Sequence, residues 1–202
     1  MFRTLTTLTL LGVLAACSQT QQPNEAPHAP GSADSNAGSS EQPAVLPEAF
    51  AGMDPDDAAQ PGPNGMGQAR DVFHELLANH TDIERTVEDI PGGIRSVTTS
   101  SDPEIAAMIR LHVRQMAARL EAGMPVRRWD PLFQEIHRHA DKIKIQIEDV
   151  PGGLVVIETS DDPQVVLLIR QHAHQGVSQF VERGFDRARE ESPLPEGYEA
   201  VE

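Results

Sequence analysis

Between residues 67 and 186 the apolar and polar positions alternate in two rhythms, and the same succession of rhythms occurs twice. Ile143, Ile145 and Ile147 alternate with Lys142, Lys144, Gln146 and Glu148, the period-two pattern of a half-buried strand. Sixty residues earlier the pattern is weaker, with Ile83 and Val87 in register but Arg85 between them. Pro91-Gly92-Gly93 and Pro151-Gly152-Gly153 then predict tight turns, proline setting φ and glycine allowing it to be positive. Asp102-Pro103 and Asp162-Pro163 place an N-cap and a first-turn proline ahead of a helix. From there the period lengthens. Ile105, Met108, Ile109, His112, Met116 and Leu120 recur at spacings of three and four, as do Val165, Leu168, Ile169, His172 and Phe180. Gly123 and Gly184 follow as stop signals, and Asp130-Pro131 caps a short helix between the two sets.

The two sets align without gaps. Phe73 to Leu120 falls on Phe133 to Phe180 with 16 identities over 48 positions, among them Glu-Asp-x-Pro-Gly-Gly, Thr-Ser-x-Asp-Pro and Ile-Arg-x-His. The expected fold class is therefore α+β: two tandem α-β-β-α repeats, 67–126 and 127–186, in a pseudo-twofold two-layer domain. Its antiparallel sheet would carry the long helices on one face. Whether the two hairpins share one sheet is left open by the pattern, and 187–202 reads as a solvated, disordered acidic tail.

Composition separates this domain from what precedes it. No Lys or Arg occurs between Thr4 and Ala69, and residues 18–66 hold eight of the 16 prolines with runs of Ser, Gly, Asn and Ala. Such a stretch buries too little apolar surface to offset its ordering entropy, so 17–66 is expected to be a disordered tether. Ahead of it stand Arg3, an apolar run from Leu5 to Leu14, and Leu14-Ala15-Ala16-Cys17, which contains the only cysteine. The run is shorter than the ~20 residues that span a bilayer. This segment resembles a bacterial lipoprotein signal peptide, 1–16, followed by its lipobox cysteine. The resemblance implies lipidation of Cys17, with acyl chains such as palmitate, and a stable membrane anchor. Ser18, in place of Asp, implies sorting to the outer membrane, facing the periplasm, in a Gram-negative host.

Charge narrows the function classes. The chain is −15 overall, but residues 67–185 carry 18 Asp or Glu against 13 Lys or Arg, so most of the excess lies outside the domain. An acidic domain without a basic stripe argues against nucleic acid. No G-x-S-x-G, H-E-x-x-H or phosphate loop occurs, and the expectation is a non-enzymatic protein.

Two constellations remain. His112 and His172 lie within the apolar stripes of equivalent helices, where a pseudo-dyad could bring them together as axial ligands of non-covalent haem. Met108, His112 and Met116 share a helical face and suit copper. The competing reading makes both histidines core residues and both methionines gap-filling. Gly176, inside a helix, invites close approach by another group. His80 and His139 fit helix C-termini, and the His137-x-His139 and His172-x-His174 pairs are too divergent on a helix to share a metal. Glu88-Asp89 and Glu148-Asp149 read as turn chemistry. Arg127-Arg128-Trp129 is the one basic, aromatic spot, suited to an envelope protein partner or to a core-packed linker. Two functions follow: a binding lipoprotein with haem or a transition metal between the helices, or a ligand-free structural or interaction lipoprotein.

Overall fold

The computed structural model describes residues 65–200. Cys17, the signal peptide and the tether up to residue 64 lie outside the described residues, and 65–66, expected in the tether, begin the first helix. Helix α1 (Gly65–Ala78) leads through a 3-10 turn into β1 (Glu84–Ile90) and β2 (Gly93–Thr99), followed by α2 (Pro103–Glu121). After α3 (Pro131–Arg138) and another 3-10 turn come β3 (Lys144–Val150) and β4 (Gly153–Thr159). A last helical run comprises α4 (Pro163–Gln171), a π-helical segment (His172–Val177) and α5 (Ser178–Arg183), with a short α6 (Phe185–Ala188) beyond it. The class is α+β.

The two hairpins form one antiparallel sheet in the order β1-β2-β4-β3. Their registers agree at an offset of 60: Glu84 faces Thr99 and Ile90 faces Gly93, as Lys144 faces Thr159 and Val150 faces Gly153. The central pair sets Ser96 opposite Val156, so strand pairing relates the hairpins by a local dyad at that point.

Local chemistry starts the helices as the sequence requires. Asp102 Oδ1 accepts from the amides of Glu104 and Ile105, Asp130 Oδ1 from Leu132 and Phe133, and Asp162 Oδ1 from Gln164. The helices then bury their stripes on the inner face of the sheet, each over the hairpin of the other half. Ile105, Met108 and Ile109 of α2 pack with Leu154 and Val156 of β4. Val165 and Ile169 of α4 pack with Ile94 of β2.

The paired motifs account for this crossing. Arg110 and Arg170 reach over the opposite hairpin's turn and donate to its backbone carbonyls. The amide of Ser100 donates to the Gly152 carbonyl and that of Ser160 to the Gly92 carbonyl. Gly93 and Gly153 lie so close to the other hairpin that a Cβ would overlap the carbonyl oxygens of Glu158 and Thr98 respectively.

The C-terminal segment departs from expectation. Rather than a free tail, 187–200 packs back on the domain. Ser192 is fully buried and gives both its amide and its hydroxyl to Asp130 Oδ2. Arg187 donates to Ser192 Oγ and the Gln175 carbonyl, and Tyr198 donates to Glu135. These polar anchors override the acidic composition. Among the described residues, no helix is long and apolar enough to cross a membrane.

Candidate functional site

The inner face of the sheet is polar in places, and those places lie together. In the second hairpin it presents Ile143, Ile145, Ile147, Leu154 and Val156, with Glu158 at the end. In the first, Arg85 stands where Ile145 does, Ser96 where Val156 does, and Thr98 where Glu158 does. Arg85, which interrupts the apolar alternation in sequence, is therefore an inward residue of a regular strand.

Above this floor is a cavity of about 640 Å³. Arg85, Ser96, Thr98 and Glu158 line it below, His112 and Met116 of α2 on one side, and His172 and Phe180 of the last helical run on the other. Phe73, Phe133 and Trp129 add rings. The volume lies within the range of roughly 300–1,000 Å³ usual for small-molecule sites, and the mixture of apolar walls with a few polar groups is also usual there.

The floor carries charge, on side chains that are half-buried. Arg85 Nη1 donates to Thr98 Oγ1 (2.7 Å) and Nε to Ser178 Oγ (3.3 Å). Burial brings its pKa down to about 10, against the pull of Glu158. Burial likewise raises the Glu158 carboxyl, and Arg85 partly offsets this. Among the described residues Glu158 has no hydrogen-bond partner, and it makes no direct ion pair with Arg85.

The two histidines predicted as ligands share this cavity. His112 stacks on Phe73 with centroids 5.4 Å apart, and His172 meets Phe133 edge-on at 5.2 Å. Burial, with Arg119 adding to it, lowers His112 to about 4. Burial, then Arg85, lowers His172 to about 4. Both rings are neutral at pH 7, each keeping a lone pair on one nitrogen. The buried Nδ1 of His112 has no hydrogen-bond partner.

A third imidazole lines the cavity, that of His137, which the sequence offers only as half of the divergent His137-x-His139 pair. The Val126 amide donates to His137 Nε2 (3.1 Å), which puts the neutral ring's proton on Nδ1, and that buried Nδ1 is unpartnered. Burial lowers the pKa of His137. Its signal in sequence was slight, since its partner is a loop amide.

The copper set does not assemble. Met116 lines the cavity, but Met108 is packed in the core with Val72 and Leu76. Eight residues of helix separate the two sulfurs' positions by about 12 Å along the axis, too far for one ion. Among the described residues no three of His, Cys, Asp and Glu are grouped so as to hold a metal ion.

Other expectations resolve as follows. A Cβ on Gly176 would make only ordinary contact, its nearest neighbour being His172 Cδ2 at 3.5 Å, so no close approach explains that glycine. It belongs instead to the π segment that also holds His172, where Ser178 Oγ donates to the Ala173 carbonyl (2.9 Å). His80 Nδ1 lies 2.8 Å from the Val181 carbonyl, and His139 Nε2 lies 3.1 Å from Tyr198 Oη. His174 is exposed beside Asp89 (3.0 Å), and Asp149 pairs with Arg114 (2.7 Å). Asp89 also pairs with Arg170 (3.3 Å), so the two aspartates by the turns are tied to helix arginines.

The Arg127-Arg128-Trp129 triplet divides. Arg127 is a structural clamp, bonded to Asp130 and to the carbonyls of Ala188 and Glu190, with its guanidinium near the Phe133 and Phe180 rings. Trp129 does not pack in the core but is 48% exposed, covered on one face by Arg127 at 4.3 Å. Arg128 is exposed beside it, so both mark where the cavity meets solvent.

No family model matches the chain, and neither a curated protein nor a solved structure matches it.

Proposed function

We propose that this chain is a non-enzymatic binding lipoprotein, anchored through Cys17 to the outer membrane, that carries an apolar small molecule in the cavity between its sheet and helices. The observation carrying this reading is the cavity of about 640 Å³ whose walls hold three phenylalanines and two neutral imidazoles. A core that only had to be stable would fill such a volume, since interiors normally pack without voids. Haem is the named ligand class to test first: His112 and His172 line the same cavity, and a haem bound there would draw its affinity from imidazole ligation of its iron. Copper alone is not supported, because Met108 lies outside the cavity.

The test uses the lipidated full chain in nanodiscs, with empty nanodiscs as blank, titrated with haem and with the apolar dye Nile red. Saturable one-to-one haem uptake with a two-imidazole spectrum, lost in His112→Leu, would establish haem as a ligand. Saturable uptake of Nile red without haem would keep the carrier reading and reject haem. Saturable uptake of neither would overturn the reading. Should that happen, the half-exposed Trp129 favours the second function, an envelope protein partner bound at that face.

A further inference from the structure

The walls of the cavity suit any apolar molecule, but its floor is selective. Arg85 lies opposite Thr98, at one end of the β1-β2 pair, and Glu158 lies opposite Ile94 and Ile145, towards the other end of the sheet. Ser96 sits between them on β2, and all three line the cavity. We propose that this floor recognises a neutral head group that both accepts and donates hydrogen bonds, a hydroxyl or a carboxamide, on an aromatic body. The inference rests on the cavity being a binding site.

Three observations carry it. First, the architecture does not require charge here: Ile145 and Val156 occupy the places equivalent to Arg85 and Ser96. Second, the Arg85 guanidinium is held in place by Thr98 and Ser178 through Nη1 and Nε, leaving Nη2 outside those two bonds. Third, the half-buried Glu158 side chain lines the cavity and has no hydrogen-bond partner among the described residues. A ligand filling the cavity takes water from this carboxyl, so one that pairs it gains affinity over one that leaves it unpaired.

The signs of the two groups choose the head. A carboxylate on the ligand would meet Arg85 favourably and Glu158 unfavourably, and an ammonium would do the reverse. A hydrocarbon would satisfy neither. A neutral hydroxyl or carboxamide can accept from Arg85 or donate to Glu158 without an unfavourable charge at the other, and Ser96 on β2 between them is a further partner. The rings of Phe73, Phe133 and Phe180, two of them edge-to-face at 5.6 Å, favour an aromatic body over an alkyl chain.

The test compares naphthalene with naphthol, naphthamide, naphthoate and naphthylmethylamine, titrated calorimetrically into the lipidated full chain in nanodiscs against empty nanodiscs. Naphthol and naphthamide are expected to bind at least about ten-fold tighter than the other three, as sites built to pair a polar group reject analogues lacking it. In Glu158→Leu their advantage over naphthalene should vanish while naphthalene still binds. Glu158→Gln, which keeps size and hydrogen bonding, should retain the naphthol preference and admit naphthoate. Equal binding of all five, tightest binding of naphthoate, or a preference unchanged in Glu158→Leu would overturn the head-group inference and leave the cavity reading standing. Binding of none of the five, with no uptake of Nile red, would overturn both.

Discussion

Arg110 on α2 and Gly153 at the start of β4 are joined across the two halves of the chain, Nε donating to the glycine carbonyl at 3.1 Å. Nη2 of the same side chain donates to the Val150 carbonyl at 2.9 Å, so one guanidinium holds both strands at the hairpin's turn. Arg170 does the same for the first hairpin with a single bond, to Ile90 at 3.1 Å. Charged hydrogen bonds contribute about 1.5–3 kcal/mol each. Arg110→Met is therefore expected to lower unfolding free energy by about 2–3 kcal/mol in urea titrations, and Arg170→Met by about 1–2 kcal/mol. Equal and negligible losses would show that the turns hold themselves.

The glycines make an opposite pair. Gly153→Ala would press a Cβ into the Thr98 carbonyl oxygen, forcing β2 and β4 apart at a backbone pair. A loss of at least about 3 kcal/mol is expected, as for the more severe overpacking changes. Gly176→Ala meets only ordinary contacts and should stabilise the protein by up to about 1 kcal/mol through helix propensity. Thermal melts of the two variants read both signs.

Acid should weaken the fold through the cavity histidines. His112 and His172 fall to about 4 in the folded state, below the ordinary 6.5, because burial penalises their charged forms. The unfolded chain thus binds more protons between those values, so stability falls as pH drops from about 6.5 towards 4 and is flat above that window for these groups. Arg119 acts on His112 in the same direction as burial; on His172, Arg85 and His137 reinforce it and Asp130 opposes it. The loss is on the order of a few kcal/mol per ring. His112→Leu and His172→Leu should each flatten the dependence of melting temperature on pH. An unchanged slope in both variants would show that other groups set it.

Neighbours in sequence should differ sharply at the loop before α3. Arg127→Ala removes a clamp on Asp130 and leaves that fully buried carboxylate with one cation contact fewer. A cost of about 3 kcal/mol or more follows from breaking a buried pair on one side. Trp129→Ala, at a half-exposed ring, should change stability by no more than about 0.5–1 kcal/mol. Comparable losses at both positions, in the same denaturation assay, would mean that Trp129 is structural after all.

Legibility of the fold followed the range of the interactions concerned. The caps at Asp102, Asp130 and Asp162 act within three residues, and the strand alternation around Ile145 is a property of the backbone, so both could be read directly. The docked C-terminal segment could not be read, because acidic composition conceals the pairing of Ser192 with Asp130, 62 residues away. Arg85 was misleading for a similar reason: in sequence it breaks an apolar pattern, whereas in space it is a floor residue bonded to Thr98 and Ser178.

The candidate site divides along the same line. Periodicity alone put His112 and His172 on the buried stripes of equivalent helices, since helical spacing determines the face a residue occupies. It also marked the motifs that cross between the halves. Strand order, the floor of Arg85, Ser96, Thr98 and Glu158, and the exclusion of Met108 were decided only in three dimensions. Local rules say which way a side chain points along its own element. They do not say which distant side chains it meets, because that depends on how the sheet pairs and where each helix lies upon it.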